Sequence, residues 1–347
     1  HPVSIKTKKR LIMEKTVKVS VIMLAYNIEN YIEIAIKGVL SQKTDYPVEL
    51  IIGEDRSTDR TYEICKRYQE KYPELITVIR HEKNLGYQRN YMETYKHCRG
   101  EYVAVCDGDD YWFDRLKLQR ATDFLDTHSQ FAICFHRVVN YYEEDGSKSL
   151  SNGHQRKITT ISDLAESNYI TNSSSVFRRC YYPEMPEWFA KFTSCDYALH
   201  LLNAQHGNIY YFGKPMAVYR KHSKGIWSET GMDRRLDIAL TTREFLLDYF
   251  KDRRTDVYNG LRQAHANICL NLIRYYISSG QPQRIEEAEQ RLLKYQPQWT
   301  LSDVKRQEAL RPRQAGRRIK AQIGEMLTWG RETVSRYIPL PRVNTEI

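Results

Sequence analysis

This 347-residue chain has no apolar run of the roughly 20 residues a membrane-crossing helix needs, and no secretory apolar core near its start. A cytoplasmic protein is the expectation. It also has no Cys-x-x-Cys pair. Its seven cysteines, Cys65, Cys98, Cys106, Cys134, Cys180, Cys195 and Cys269, are odd in number and several fall in core-like runs. Reduced thiols are therefore expected rather than disulfides or a zinc centre. The first apolar strand ends in Leu24-Ala-Tyr-Asn27, without a glycine-rich basic phosphate loop. No nucleic-acid recognition motif accompanies the net charge of +10, so charge alone does not argue for a nucleic-acid partner. The chain opens on His1 rather than methionine, and residues 1–16 are set aside as a tail that need not be native.

What is present is concentrated in Glu101-Tyr-Val-Ala-Val-Cys-Asp-Gly-Asp-Asp110, an apolar strand that runs straight into Asp107, Asp109 and Asp110. Three like charges repel each other. A hard cation such as Mg²⁺ or Mn²⁺ relieves that repulsion, because carboxylate oxygens are its natural ligands. An isolated Asp-x-Asp is more often an acidic turn bonded to its own backbone, so the surrounding pattern has to decide.

That pattern alternates. Val17–Tyr26 is β-branched and apolar, and is followed by helical spacing through Tyr31, Ala35, Val39 and Leu40. Val48–Gly53 reads as a second strand, with Thr61, Ile64, Cys65 and Tyr68 on an amphipathic helix behind it. Thr77–Arg80 reads as a third strand, and a helix from about Gln88 to Cys98 leads to the acidic strand. Such alternation implies a parallel sheet covered by helices, with ligands at the carboxyl ends of the strands, where the polar clusters fall.

Four segments in order carry a resemblance: Ser20–Asn27, Glu54-Asp-Arg-Ser-Thr-Asp-Arg-Thr61, Asn84-Leu-Gly86 and Asp107-Gly-Asp-Asp110. The chain resembles the family 2 glycosyltransferases of the GT-A fold, nucleotide-sugar-dependent and mostly inverting enzymes of bacterial polysaccharide and glycolipid synthesis. One position departs, since Glu54 stands where the family usually has aspartate. The resemblance implies a donor site made of Ala25, Tyr26, Asn27, Glu54, Asp55, Arg89, Asp107, Gly108 and Asp109. Tyr26 would stack near the base, or else cap the core. Glu54 or Asp55 would accept the N3–H of uracil. Arg89 would reach a phosphate or the base edge, or else be a solvated helix residue. Asp107 would hold the ribose or a metal-bound water, Asp109 would ligate Mn²⁺ or Mg²⁺, and Asp110 and Trp112 would support the site or the acceptor.

In the second half Asp196 opens an amphipathic helix through Leu199 and Leu202. It is either an N-cap or, by the same resemblance, the base that deprotonates the acceptor hydroxyl. Pro215–Ser228 resembles the family's closing segment, in which His222 would complete the metal site and Trp227 would cover the sugar or acceptor. The implied domain spans residues 17–228: an α/β, mostly parallel sheet flanked by helices.

From about Glu229 strand signals vanish. Helical periodicity marks Leu236–Phe250, Leu261–Ile277 and Ile285–Tyr295, so 229–347 reads as a helical C-terminal domain. From Lys305 to Arg342, ten Lys and Arg face three Glu, a net of +7. There Ile319, Ile323, Met326, Leu327 and Val334 share a helical face near Trp329, which suits contact with an anionic membrane surface or packing on the domain itself. The expected enzyme is a metal-dependent inverting glycosyltransferase. It would use a UDP-sugar and a saccharide or lipid-linked acceptor, peripherally at the inner face of the plasma membrane. The rivals are a sugar-nucleotide nucleotidyltransferase, disfavoured by the missing phosphate loop, and a non-catalytic scaffold, disfavoured by Asp107, Asp109 and Asp196.

Overall fold

A computed structural model describes residues 16–192, 195–223, 225, 231–299, 302–303 and 332–334. Strand β1 (Val19–Ala25) lies between β2 (Val48–Glu54) and β4 (Tyr102–Val105), and β3 (Ile76–Arg80) extends the sheet beyond β2, all parallel. Helices α1 (Ile32–Leu40), α2 (Thr61–Lys71) and α3 (Tyr87–Tyr95) make the crossovers. Both faces are covered. Val19, Val21 and Met23 pack with Ile32, Ile36 and Tyr68, while Ile22 and Leu24 point the other way onto Tyr91, Met92 and Tyr95. Alternate side chains of a strand face opposite sides, and a strand buried on both reads as one continuous apolar run.

Beyond β4 the sheet becomes mixed, and only its first half has the expected parallel character throughout. After β5 (Tyr111–Trp112) and α4 (Lys117–Thr127) comes the long β6 (Phe131–Tyr142), followed by β7 (Lys148–Leu150), β8 (Ile158–Thr159), α5 (Ile161–Glu166) and β9 (Val176–Arg178). β9 fills the place between β4 and β6, antiparallel to both. β6 therefore runs in the direction of β4. Helix α6 (Asp196–Ala204) leads into β10 (Asn208–Lys221), which pairs parallel to β6 and antiparallel to β5 and β8. The carboxyl end of β10 thus reaches the same rim of the sheet as those of β1, β2 and β4.

Helices α7 (Met232–Phe250), α8 (Thr255–Ser278) and α9 (Ile285–Tyr295) lie where the periodicity put them. They are not insulated from the sheet. Leu246, Leu247, Phe250, Val257 and Leu261 share one core with α6 and with β1, while Leu236, Leu240, Ile268 and Leu292 form a smaller core among the three helices. One correction concerns the basic tail: Glu332–Val334 forms a strand, β11, antiparallel to β7, so Val334 is not on a helical face. Ile319, Ile323, Met326, Leu327 and Trp329 lie outside the described residues. Among those described, no helix is long and apolar enough to cross a membrane, and none of the seven cysteines is paired.

A polar tie joins the three helices. Arg291 of α9 donates from Nε to Glu244 Oε1 at 2.7 Å and from Nη2 to Oε2 at 3.1 Å, while His265 Nε2 of α8 lies 3.2 Å from Oε1. Burial disfavours the Glu244 carboxylate, but the bonds from His265 and Arg291 and the Arg291 charge prevail and pull it from 4.5 down to about 2. A carboxylate with a lowered pKa stabilises the fold fully above its unfolded value and loses that contribution as pH falls toward the folded one. Glu244→Gln should therefore cost about 2 kcal/mol at pH 7, and the gap between variant and wild type should close between pH 4.5 and 2, as read by thermal unfolding across pH.

Candidate active site

The end of β1 turns on Asn27, whose φ of 52° is left-handed backbone that asparagine tolerates. The acidic motif of the next loop holds this turn. Asn27 N donates to Ser57 Oγ at 3.1 Å, Ile28 N to Thr61 Oγ1 at 2.9 Å and Glu29 N to Asp59 Oδ2 at 3.0 Å, while Thr58 N donates to Asn27 Oδ1 at 2.8 Å. Glu54 turns inward, fully buried. Its Oε1 accepts from Ser57 N at 2.6 Å and its Oε2 faces Arg80 Nε at 3.3 Å. The adjacent Asp55 lines the cavity instead, its carboxylate aligned by Leu85 N at 2.7 Å and Gly86 N at 2.9 Å. Gly86 makes this turn at φ 81°, so the Asn84-Leu-Gly86 motif serves to fix Asp55.

After β4 each carboxylate is fastened to a different part of the chain. Asp107 accepts from Tyr87 OH at 3.0 Å and Asn172 Nδ2 at 3.1 Å. Asp109 Oδ2 lies 3.1 Å from His222 Nε2, and its carbonyl accepts from Arg220 Nε at 3.1 Å. Asp110 accepts from Ser173 Oγ and, at 2.9 Å, from Arg220 N. Burial and then the Asp109 charge push Asp107 up to about 7, and burial with the charges of Asp109 and Asp107 raises Asp110 well above the usual carboxylate range. Gly108 permits the turn, since a Cβ there would meet Leu24 O at 2.8 Å and Ile28 Cδ1 at 2.4 Å.

Across the cavity Asp196 is the first residue of α6, behind Cys195 as N-cap, and accepts from Asn168 Nδ2 at 3.2 Å. A carboxylate in a first helical turn also meets the positive end of the helix dipole. The cavity of about 700 Å³ is lined at one end by Ala25, Tyr26, Asp55, Asp107, Asp109 and His222, and farther on by Asp196, Tyr197 and residues of α7. Tyr26 is 47% exposed, open to stack on a ligand.

Among the described residues no three His, Cys, Asp or Glu side chains converge as a metal cage. The expected trio of Asp107, Asp109 and His222 does not close into such a cage: Asp107 accepts from Tyr87 and Asn172, while Asp109 pairs with His222. Asp109 and His222 remain as a pair, beside carboxylates whose mutual repulsion a cation would relieve. Two protein ligands suit a divalent ion that takes the rest of its shell from donor phosphates and water.

Residues 20–184 match the model of glycosyl transferase family 2. They belong to that family. Among relatives, an uncharacterised protein of Mycobacterium tuberculosis is 39% identical over 221 residues, 62% of each chain, so the alignment spans about three-fifths of that relative's length. Among solved structures, S. aureus TarS 1–349 in complex with UDP-GlcNAc is similar at TM-score 0.52 and 18% identity, covering 80% of this chain and 89% of that one. The mannosyltransferase PcManGT of Pyrobaculum calidifontis, in complex with GDP-Man and Mn²⁺, is similar at TM-score 0.54 and 15% identity, covering 90% and 86%. The fold is thus the GT-A type the motifs imply.

Within this family 2 domain the expected residues separate into two groups. Ala25, Tyr26, Asp55, Asp107, Asp109, Asp110, Asp196 and His222 line one cavity. Asn27, Glu54 and Gly108 are built into its frame. Trp112 is fully buried, its Nε1 donating to Ser173 O at 2.9 Å, so it supports the site and cannot meet an acceptor. Arg89 is exposed on a separate groove with His81, Glu82, Lys83, Leu85 and Glu93. Trp227 lies outside the described residues. Sequence reading missed Tyr87, Asn172, Asn168 and Arg220, although Tyr87 directly follows the Asn84-Leu-Gly86 motif and Arg220 stands two residues before His222. Tyr31 also escaped it: its ring centroid is 4.6 Å from that of His222.

Gly108→Ala should displace the acidic turn from β1, because the conflict is with the Leu24 backbone and not only with a movable side chain. The expected result is a stability loss of about 1–3 kcal/mol with a larger, at least tenfold, loss of nucleoside diphosphate affinity, measured by thermal unfolding and calorimetry. Wild-type affinity in that variant would mean that the turn is not part of the nucleotide site.

Proposed function

We propose that this protein transfers a sugar from a UDP-sugar to a saccharide hydroxyl by a single inverting displacement. The observation that carries this reading is the shared cavity: Asp55, Asp107, Asp109 and His222 line it at the strand ends, and Asp196 faces the same space from the start of α6. Asp55 keeps lone pairs free after its two backbone bonds and accepts the N3–H of uracil, with Tyr26 against the base. Asp107, oriented by Tyr87 and Asn172, holds the ribose. Asp109 and His222 hold Mn²⁺ or Mg²⁺, which when bound stabilises the charge developing on the leaving diphosphate. Arg220, fastened to Asp109 O, keeps the end of β10 against the acidic turn. Asp196 takes the proton of the acceptor hydroxyl as its oxygen attacks the anomeric carbon from the face opposite the diphosphate. One carboxylate base and one displacement give inversion. TarS bound to UDP-GlcNAc and PcManGT bound to GDP-Man and Mn²⁺ support a nucleotide-sugar donor and a divalent ion for this fold.

Two variants test the reading. Asp196→Asn keeps the shape and loses the basicity, so UDP release from a panel of UDP-sugars in the presence of Mn²⁺ should fall by roughly 10²–10⁴-fold while UDP affinity stays at the wild-type value. Wild-type turnover would reduce Asp196 to a helix-end residue. Asp109→Asn should abolish the Mn²⁺ dependence of UDP binding while leaving the unfolding temperature level or higher, because one of three crowded charges is gone. Full turnover of the wild type in the presence of chelator would overturn the metal's role.

A further inference from the structure

The cavity has two chemically different halves. Its floor at the strand ends is acidic, whereas its far wall is made by α7 and α8, with Leu236, Ala239 and Ile268 beside Arg235 and Arg243. Arg243 stands out. Its side chain is 8% exposed, its Nη1 donates to Ala239 O at 3.2 Å, and its Nε is buried with no hydrogen-bond partner. Its guanidinium lies 4.7 Å from the centroid of the Tyr197 ring. No carboxylate forms an ion pair with it among the described residues, and the neighbouring Glu244 has both oxygens committed to Arg291 and one also to His265.

A buried guanidinium without an anion is costly, and a structure that keeps one in a cavity wall has placed a fork shaped for a carboxylate or phosphate. The platform beneath it is rigid, because Tyr197 OH donates to the carbonyls of Leu164 and Ala165 at 3.1 and 2.8 Å. Tyr197 also follows Asp196 directly in the chain. Arg243 and Asp196, the residue assigned as base, line the same cavity.

We propose that Arg243 is an anion subsite for the acceptor. The saccharide that receives the sugar carries a phosphate or carboxylate near the hydroxyl handed to Asp196, and its apolar face rests on Leu236, Ala239 and Ile268. This rests on the transferase reading above and adds the chemical class of the acceptor.

The test is calorimetric titration of the full chain, saturated with UDP and Mn²⁺, with methyl glucoside 6-phosphate, methyl glucuronide and methyl glucoside. At least one anionic probe should bind at least tenfold more tightly than the neutral one, and the stronger of the two identifies phosphate or carboxylate as the group read. Arg243→Met should abolish that preference, and Arg243→Lys, which keeps the charge but not the fork, should retain part of it. Should the methionine variant not fold, a several-fold drop in preference in the lysine variant supports the proposal in its place. Equal binding of charged and neutral probes, no binding of either anionic probe at millimolar concentration, or a preference undiminished in the variants would overturn the proposal. UDP titration of the wild type without any saccharide is the separate control: failure there removes the transferase reading itself.

Discussion

Mutual repulsion among Asp107, Asp109 and Asp110 is the constraint around which the rest of the molecule is arranged. Carboxylates withdrawn from water are tolerated only when donors surround them, and here those donors come from separate parts of the chain. Tyr87 begins α3, Asn172 and Ser173 form a short turn before β9, and Arg220 and His222 end β10. Each of these segments is drawn to one point at the end of β4. The sheet order brings them there, since the placement of β9 between β4 and β6 turns β6 and then β10 toward the same rim.

Much of what marks the family in sequence serves as framework. Ser57, Asp59 and Thr61 satisfy the amides of the loop after β1, and Asn84, Leu85 and Gly86 hold Asp55. Backbone amides in a loop have no strand or helix partner, so side-chain acceptors supplied from a neighbouring loop fix both position and direction. The pattern Glu54–Thr61 is better understood as a clamp that carries one cavity-facing carboxylate, Asp55, than as a row of residues turned to the cavity.

The helical segment after β10 belongs functionally to the same body. Its first two helices bury Leu246, Phe250, Val257 and Leu261 against the sheet domain and supply the far wall of the cavity. Glu244 and Arg291 brace those helices against α9 just behind Arg243. The far wall of the cavity and the packing of the helices therefore meet on one helix, α7. Its opposite ends serve different cores, with Leu236 and Leu240 in the small one and Leu246 and Phe250 in the large one.

Periodicity and local chemistry in the sequence were enough to locate β1 to β4, α1 to α3, α7 to α9, the acidic turn and the carboxylate that opens α6. Those features are local: strand and helix periods differ, and charged residues after an apolar run mark a strand end. Other outcomes needed the folded chain. Glu54 and Asp55 are neighbours in sequence, yet only one faces the cavity, because adjacent residues at a strand end point to opposite sides and the pairing of Ala25 with Glu54 decides which side is which. Arg89, on α3, lines a separate groove, and Trp112, on β5, is inside the core. The mixed half of the sheet, the bonds from Asn172 to Asp107 and from His222 to Asp109, and the stacking of Arg243 on Tyr197 join residues tens of positions apart or more. Such pairings are set by strand order and helix packing, which no local pattern encodes.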